Sequence, residues 1–215
     1  MQNINPISFL ICALVLALVP ILVGLVTSYI KISVVLGLFR SGLGAQQVPS
    51  GLVVMALSLA MSFFVMAPVL EETRRVSADI DFALLLKDPQ AKHLKPLSAL
   101  IEPWSKFLSK HAGAGELAAL TELKPAAQDQ RQESVDLSVL VPAFILSELK
   151  EAFAMGFVLL LPFLVVDLIV ANILVGMGMY MVSPVMISLP LKLILFVFCD
   201  GWLLLTKGLI NSYQF

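Results

Sequence analysis

Residues 152–191 read AFAMGFVLLLPFLVVDLIVANILVGMGMYMVSPVMISLPL, forty residues that carry a single charge, Asp167. As one helix they would extend about 60 Å, twice the roughly 30 Å thickness of a hydrocarbon core. The stretch must therefore fold back, and the helix breakers between Gly176 and Pro184 mark the turn. The arms of the predicted helical hairpin are 152–176 and 188–210.

The composition of the whole chain is that of an integral membrane protein. Of its 215 residues 59% are hydrophobic and only 13% are charged, too few charges to solvate the surface of a soluble domain. With 14 basic and 15 acidic residues, the net charge of −1 gives no footprint for binding nucleic acid. Neither the cysteines, Cys12 and Cys199, nor the histidines, His93 and His111, have the spacing of a metal site or a disulfide framework. We expect no metal and no cofactor.

The charges divide the chain into three parts, because 23 of the 29 lie between Glu71 and Glu151. We therefore predict an apolar block, a polar insert and a second apolar block. The predicted domains are an N-terminal helical hairpin (1–70), a polar insert (71–140) and a C-terminal helical hairpin (141–215).

The first block holds two uncharged runs that are long enough to span a bilayer. Ile7–Ile30, with a kink expected at Pro20, would extend about 36 Å as a helix, and Leu52–Leu70 about 28 Å. In the insert, helical spacing over 79–110 predicts short amphipathic helices, and 124–136 reads as a loop. Basic residues before the second run favour a cytoplasmic loop there, which places the insert on the periplasmic side. The fold class is an all-α membrane protein: two long helical hairpins with an inserted, mainly helical polar domain.

Three charges lie where a lipid-facing helix should have none: Asp167, Lys192 and Asp200. An ionised group in mid-membrane costs about 3 kcal/mol unless it is paired or hydrated. One interpretation is that these residues pair between helices or between subunits, and the other is a proton or ion relay. We favour pairing, because a relay normally has more ionisable groups.

The turn of the second hairpin alternates three methionines, Met177, Met179 and Met181, around Tyr180. Unbranched thioether side chains adapt to irregular contacts, so the run could serve as plain packing or as a deformable apolar seal.

Two longer motifs make the sequence recognisable. Residues 142–157 read PAFILSELKEAFAMGF and residues 190–202 read PLKLILFVFCDGW. They resemble the signature motifs of the FliP/SctR family, core membrane components of flagellar and virulence type III secretion export gates. Ala154 and Tyr180 depart from the usual pattern of the family. The motif positions taken as characteristic are Pro142, Phe144, Glu148, Phe153, Gly156, Pro190, Gly201 and Trp202.

The resemblance implies a non-enzymatic protein of the bacterial inner membrane. It implies five copies that assemble with SctS-like and SctT-like subunits into a helical oligomer around an export channel for unfolded secreted proteins. It further implies that Met177, Met179, Tyr180 and Met181 form a pore gasket. In such an assembly Asp167, Lys192 and Asp200 would face other subunits or the aqueous path. The uncharged N-terminus without a signal peptide is typical of the virulence branch.

Two other classes of function remain open on the sequence alone. A small multi-pass ion or solute transporter would need convergent polar groups near the midplane or inverted repeats, and the two hairpins do not resemble each other. A purely structural membrane scaffold is the third reading. An enzyme is least expected, because no nucleophile, metal set or acid–base pair stands out.

Overall fold

The computed structural model describes residues 23–44, 49–78, 95–123 and 136–213, together with residues 10, 13–14 and 17–18. Every regular element in these ranges is an α-helix, in agreement with the predicted class. The labelled helices are α1 (Tyr29–Leu43), α2 (Gly51–Ala78), α3 (Lys95–His111), α4 (Ala114–Glu122), α5 (Leu137–Gly176), α6 (Pro184–Phe198) and α7 (Gly201–Asn211).

Two of these helices, α2 and α5, are long and apolar enough to cross a membrane, and α6 with α7 could form a third, bent span. Only 22% of the most apolar stretch of α2 and 17% of that of α5 is buried within the chain. Most of their apolar surface is therefore uncovered within the chain and can contact lipid or another protein.

The helix boundary predicted between Gly176 and Pro184 is present, but the helix before it is longer than expected. A helix ends at Gly176 and the next begins at Pro184, yet α5 starts at Leu137 rather than near residue 152. The carboxylate of Asp136 accepts a hydrogen bond from the Ser138 N–H (2.9 Å), which caps the helix start. At 40 residues α5 is about 60 Å long, so it must project well beyond a hydrocarbon core.

The second arm of this hairpin is not straight. Helices α6 and α7 meet at a 65° bend at Cys199–Asp200. Asp200 adopts a left-handed backbone conformation there, with φ 48°. The prediction of one arm over 188–210 therefore corresponds to two short helices.

Of the N-terminal span predicted over Ile7–Ile30 the structure describes 13 of 24 residues, and the predicted kink at Pro20 lies outside them. At its described end the helix breaks at Thr27 and Ser28 before α1 begins. The Thr27 hydroxyl donates to the carbonyl of Val23, a side-chain bond that competes with regular helix hydrogen bonding.

The core forms around α1, which packs against α2 and, more extensively, against α5. Ile32, Val35, Leu36 and Phe39 are almost fully buried on α1. The two helices approach closely at Gly156, where an added Cβ would lie 2.2 Å from a methyl carbon of Leu38. Small residues allow such approach between membrane helices.

The helices α3 and α4, which lie wholly within the predicted insert, pack on the N-terminal half of α5. The Gly113 N–H donates to the Ser147 hydroxyl (2.7 Å), and Lys150 pairs with Glu116 (2.9 Å). The predicted amphipathic helices over 79–110 correspond to α3 from Lys95 onward. Their part over 79–94 and the loop over 124–135 lie outside the described residues.

Candidate functional site

The structure brings Asp167 and Lys192 together within one chain. Asp167 lies on α5 and Lys192 on α6, on either side of the methionine turn, and Nζ of Lys192 is 2.6 Å from Oδ2 of Asp167. Ser188, one helical turn before Lys192, donates its hydroxyl to Oδ1 of the same carboxylate at 2.5 Å. The carboxylate thus accepts from two neighbours on α6 and fixes the two arms against each other.

A third helix joins this cluster through its backbone. Nζ of Lys192 donates to the carbonyl oxygen of Gly42 near the end of α1, at 3.0 Å. Lys192 is buried, whereas the side chain of Asp167 is 35% exposed. The ammonium therefore has two acceptors inside the protein, while the carboxylate keeps one side open to its surroundings.

The third predicted pairing residue, Asp200, is not part of this cluster. It lies exposed at the bend between α6 and α7, where its carbonyl accepts hydrogen bonds from Leu203 and Leu204 of α7. Its side chain makes no capping hydrogen bond to α7. In this chain the visible contribution of Asp200 is backbone geometry, and its role in charge pairing remains a prediction.

The methionine turn projects from the end of the ion-paired arms. Gly178 has φ +76°, and the N–H of Met179 reaches back to the carbonyl of Leu174 (2.9 Å), which closes α5. The side chains that follow are uncovered: Met177 is 60% exposed, Tyr180 79% and Met181 fully exposed, with Met179 intermediate at 42%. A short, closed turn thus presents four large apolar side chains outward.

A second charge cluster, which sequence reasoning did not predict, joins α1 to α5. Nζ of Lys31 lies 3.0 Å from Oε1 of Glu148 and 2.7 Å from Oε2 of Glu151. Lys31 and Glu148 are fully buried, while Glu151 is half exposed. The pair sits where α1, α5 and the insert meet.

Tyr213, which follows α7, completes this second cluster. Its hydroxyl donates to Oε2 of Glu148, and Nζ of Lys31 lies 4.1 Å from the centre of its ring. His111, the last residue of α3, packs edge-on against the same ring at 5.1 Å. Burial, with a contribution from Glu148, raises the pKa of Tyr213, which therefore stays protonated as a donor.

The pKa of His111 is lowered from 6.5 to about 4, first by burial and then by the positive charges of Lys31 and Lys110. At neutral pH the imidazole is therefore uncharged. A neutral ring can lie beside Lys31 without electrostatic repulsion, so it links the insert to the membrane helices.

The motif residues divide into buried and exposed sets. Phe144, Glu148 and Gly156 are buried where α5 meets α1 and α3, so this part of the motif serves packing. Phe153 is 58% exposed and Trp202 43%, which leaves them available to other molecules. Pro142 lies inside α5 and Pro190 inside α6. At the bend, the ring of Phe196 packs directly against Gly201.

A signal for the missed cluster was present in the sequence. Lys31 is the only charge in the first 39 residues, and a lone charge in an apolar helix requires a partner. Glu148 was noted as a motif residue but lies in the charge-dense stretch between Glu71 and Glu151, so it did not stand out as the partner of Lys31. The continuity of α5 across that boundary is what places Glu148 beside α1.

These two clusters hold helices in position. Over the described residues no three histidine, cysteine or acidic side chains come together as a metal site would require. The geometry holds helices together: two ion pairs, each with a buried lysine, fix α5 to α1 and α6, and an apolar turn is displayed at one end.

Comparisons with known proteins give one family. The profile of the FliP family matches residues 12–209. The chain is similar to "Hypersensitivity response secretion protein HrcR" of Ralstonia nicotianae, with 42% identity over 219 residues and all of both chains covered. It is similar to "Yop proteins translocation protein R" of Yersinia pestis, with 40% identity and 97% of each chain covered. It is also 42% identical to "Flagellar biosynthetic protein FliP" of Caulobacter vibrioides, covering 93% of this chain and 73% of the relative.

Proposed function

Because this chain belongs to the FliP family, we propose that it is a subunit of a type III secretion export apparatus and forms the protein-conducting gate in the bacterial inner membrane. The names of the relatives, a secretion protein, a translocation protein and a flagellar biosynthetic protein, support a role in protein export. The membrane-capable helices α2 and α5 support an inner-membrane location.

One observation carries the gate assignment: four large apolar side chains, three of them methionines, are displayed without cover on a turn whose base is fixed. The Asp167–Lys192 ion pair and the Ser188 hydrogen bond hold the arms of the hairpin together below the turn. A turn presented in this way can converge with the same turn of other copies on a common axis.

The physical mechanism is dewetting of a narrow apolar constriction. A ring of thioether side chains at the axis excludes water and ions when no substrate is present. Because methionine is unbranched and flexible, the ring can open for an unfolded chain and close around side chains of any shape. Tyr180 adds a stiffer aromatic ring to each copy of the seal.

The assembly that we propose contains five copies of this chain together with SctS-like and SctT-like subunits. The large uncovered apolar surface of α2 and α5 supports extensive subunit contacts. In this assembly the insert faces the periplasm and the substrates are unfolded secreted proteins. The names of the relatives from Ralstonia and Yersinia favour a virulence system over a flagellar one.

The test is single-channel recording of the assembled complex in planar bilayers. We expect the closed wild-type pore to conduct weakly, and replacement of Met177, Met179 and Met181 by Ala to raise the conductance at least several-fold, because the seal loses its side chains. Met55→Ala is the matched control, since Met55 is similarly exposed at 48% but lies on α2. Unchanged conductance in the triple variant would refute the gasket. Flux of a small solute coupled to an ion gradient would instead favour the transporter reading.

A further inference from the structure

A cleft of about 640 Å³ opens where α2 and α3 meet the end of α7. Val69, Phe107 and Tyr213 are buried lining residues, whereas Phe64 on α2 is 63% exposed. The cleft is therefore open to whatever surrounds the chain at this level of α2.

The cleft has an apolar half and a charged half. Its lining on α2 extends from Phe64 to Glu72, about 12 Å along the helix. The lining residues before Glu72 are apolar and belong to the uncharged run Leu52–Leu70. Beside Glu72 the cleft is lined by Lys106 and Lys110 of α3.

The charged half is positive overall. Lys106 and Lys110 are four residues apart on α3 and therefore lie on one face of the helix. With Glu72 they give the lining a charge of +1 at neutral pH, because the imidazole of His111 is uncharged there.

Lys106 already has partners, but it can exchange them. Its Nζ lies 2.9 Å from Oε1 of Glu102 and 3.9 Å from Oε1 of Glu72. All three side chains are more than half exposed, so solvent screens these pairs and their loss costs little. A phosphate that enters the cleft can therefore take their place.

The position of the cleft along α2 indicates what fills it. The uncharged run ends at Leu70, and four charges follow between Glu71 and Arg75. In a membrane-spanning helix such charges begin where the hydrocarbon core ends, so the cleft crosses the boundary between acyl chains and headgroups. A soluble anion would use only its charged half and an apolar segment only its other half, whereas a phospholipid uses both.

We propose that this cleft binds an anionic phospholipid, with the phosphate beside Lys106 and Lys110 and an acyl chain along Phe64, Val65 and Pro68. Basic pockets between membrane helices bind anionic headgroups in this way. A lipid held there contacts α2 and α3 together and so links the insert to the membrane. The inference rests on the proposed inner-membrane location and does not involve the gate.

The test is native mass spectrometry of the complex, extracted in detergent and titrated with dioleoyl phosphatidylglycerol or dioleoyl phosphatidylcholine. The two lipids share the phosphate and the acyl chains and differ in headgroup charge. We expect phosphatidylglycerol to bind with an apparent Kd at least several-fold lower, and Lys106→Gln/Lys110→Gln to abolish this preference. The matched control is Lys150→Gln/Lys207→Gln, the same change of net charge at exposed lysines outside the cleft lining. An equal loss in both double variants would show unspecific attraction and overturn the site.

Two adjacent phenylalanines test the apolar half. Phe64 lines the cleft, whereas Phe63, 69% exposed, is not part of the lining. We expect Phe64→Ala to weaken the binding of both lipids at least several-fold and Phe63→Ala to leave it unchanged. Equal effects of the two substitutions would overturn the assigned path of the acyl chain.

Three further outcomes would overturn the inference. Glycerophosphoglycerol, the headgroup without acyl chains, could displace the lipid at equal concentration, which would identify a soluble phosphate as the ligand. Binding to the single chain that is lost in the homo-oligomer would show that a neighbouring copy covers the cleft. Equal affinity for the two lipids would remove the site and leave the proposed function standing, because the gate is tested separately by the conductance of the methionine variants.

Discussion

At the scale of single residues, the buried ion pair of Lys31 and Glu148 is the feature whose disruption we expect to cost the most stability. Removing one partner of a buried ion pair leaves an uncompensated charge, at a cost of about 3–5 kcal/mol. The two partners are not equivalent, because Lys31 also contacts Glu151 at 2.7 Å. The loss of Glu148 therefore leaves Lys31 with a second carboxylate, whereas the loss of Lys31 leaves Glu148 with only the hydroxyl of Tyr213.

We expect Lys31→Met to lower the free energy of unfolding by about 3–5 kcal/mol and Glu148→Gln to lower it by less. The measurement is unfolding in detergent micelles followed by circular dichroism. Arg74→Met is the control: Arg74 pairs with Glu71 on the exposed surface, where solvent screens the pair, so its loss should change the stability far less. A larger loss for Glu148→Gln than for Lys31→Met would contradict the asymmetry of the cluster.

His111 gives the same region a dependence on pH. Its pKa is about 4 in the folded protein and near 6.5 when unfolded, so between these values the unfolded chain binds more protons. Its contribution to stability is therefore complete above pH 6.5 and is lost as the pH falls towards 4. The charged groups that act on it are Lys31 from α1, Glu151 from α5 and its neighbour Lys110.

We expect the midpoint temperature of thermal unfolding to decrease when the pH is lowered from 7 to 5. The variant His111→Gln should show a smaller decrease. The comparison of the two proteins at each pH removes the contribution of the carboxylates that titrate in the same range. His93→Gln is the control for the other histidine of the chain. Identical pH profiles for His111→Gln and the unmodified chain would contradict a half-buried imidazole that is neutral at pH 7.

At the scale of elements, Asp200 at the bend between α6 and α7 can act through its backbone conformation or through its side-chain charge, and substitutions distinguish the two. The left-handed conformation at φ 48° costs an ordinary residue about 1–2 kcal/mol, while glycine and asparagine adopt it readily. We expect Asp200→Gly and Asp200→Asn to unfold like the unmodified chain, and Asp200→Val to lose about 1–2 kcal/mol. Protein export is measured in parallel. Loss of export in both tolerated variants would show that the charge is needed, as the pairing prediction requires.

The elements also show what the sequence could and could not predict. Hydropathy, helix breakers and lone charges are local signals. They predicted the helical class, the turn between Gly176 and Pro184 and charged residues that form ion pairs. They did not predict the full length of α5, the break at Thr27–Ser28 and the bend at Asp200. The length of α5 and the bend depend on tertiary contacts: α1 and the insert pack on α5, and Phe196 packs against Gly201. The break accompanies a side-chain bond of Thr27 to the Val23 carbonyl, which hydropathy does not reveal.

At the scale of the whole molecule, hydropathy identifies apolar surface without saying what covers it. In α2 and α5 most of the apolar stretch is uncovered within the chain, and α5 borders an apolar groove. The ion pairs of the buried Lys31 and Lys192 fix the helices of one chain to each other, so the outer apolar faces of these helices are free for assembly. We therefore expect part of this surface to lie at subunit contacts rather than in lipid.

The two tryptophans of the chain make this expectation measurable. Trp202, 43% exposed at the bend beside the groove, reports on the apolar surface, and Trp104→Phe removes the signal from the insert. Brominated phospholipids quench tryptophan fluorescence only at close range, so quenching reports contact with lipid. In nanodiscs we expect strong quenching of Trp202 for the single chain and clearly weaker quenching for the homo-oligomer, because a neighbouring copy replaces lipid at this face. Equal quenching in both states would mean that the face remains in the bilayer, and that the copies assemble through other surfaces.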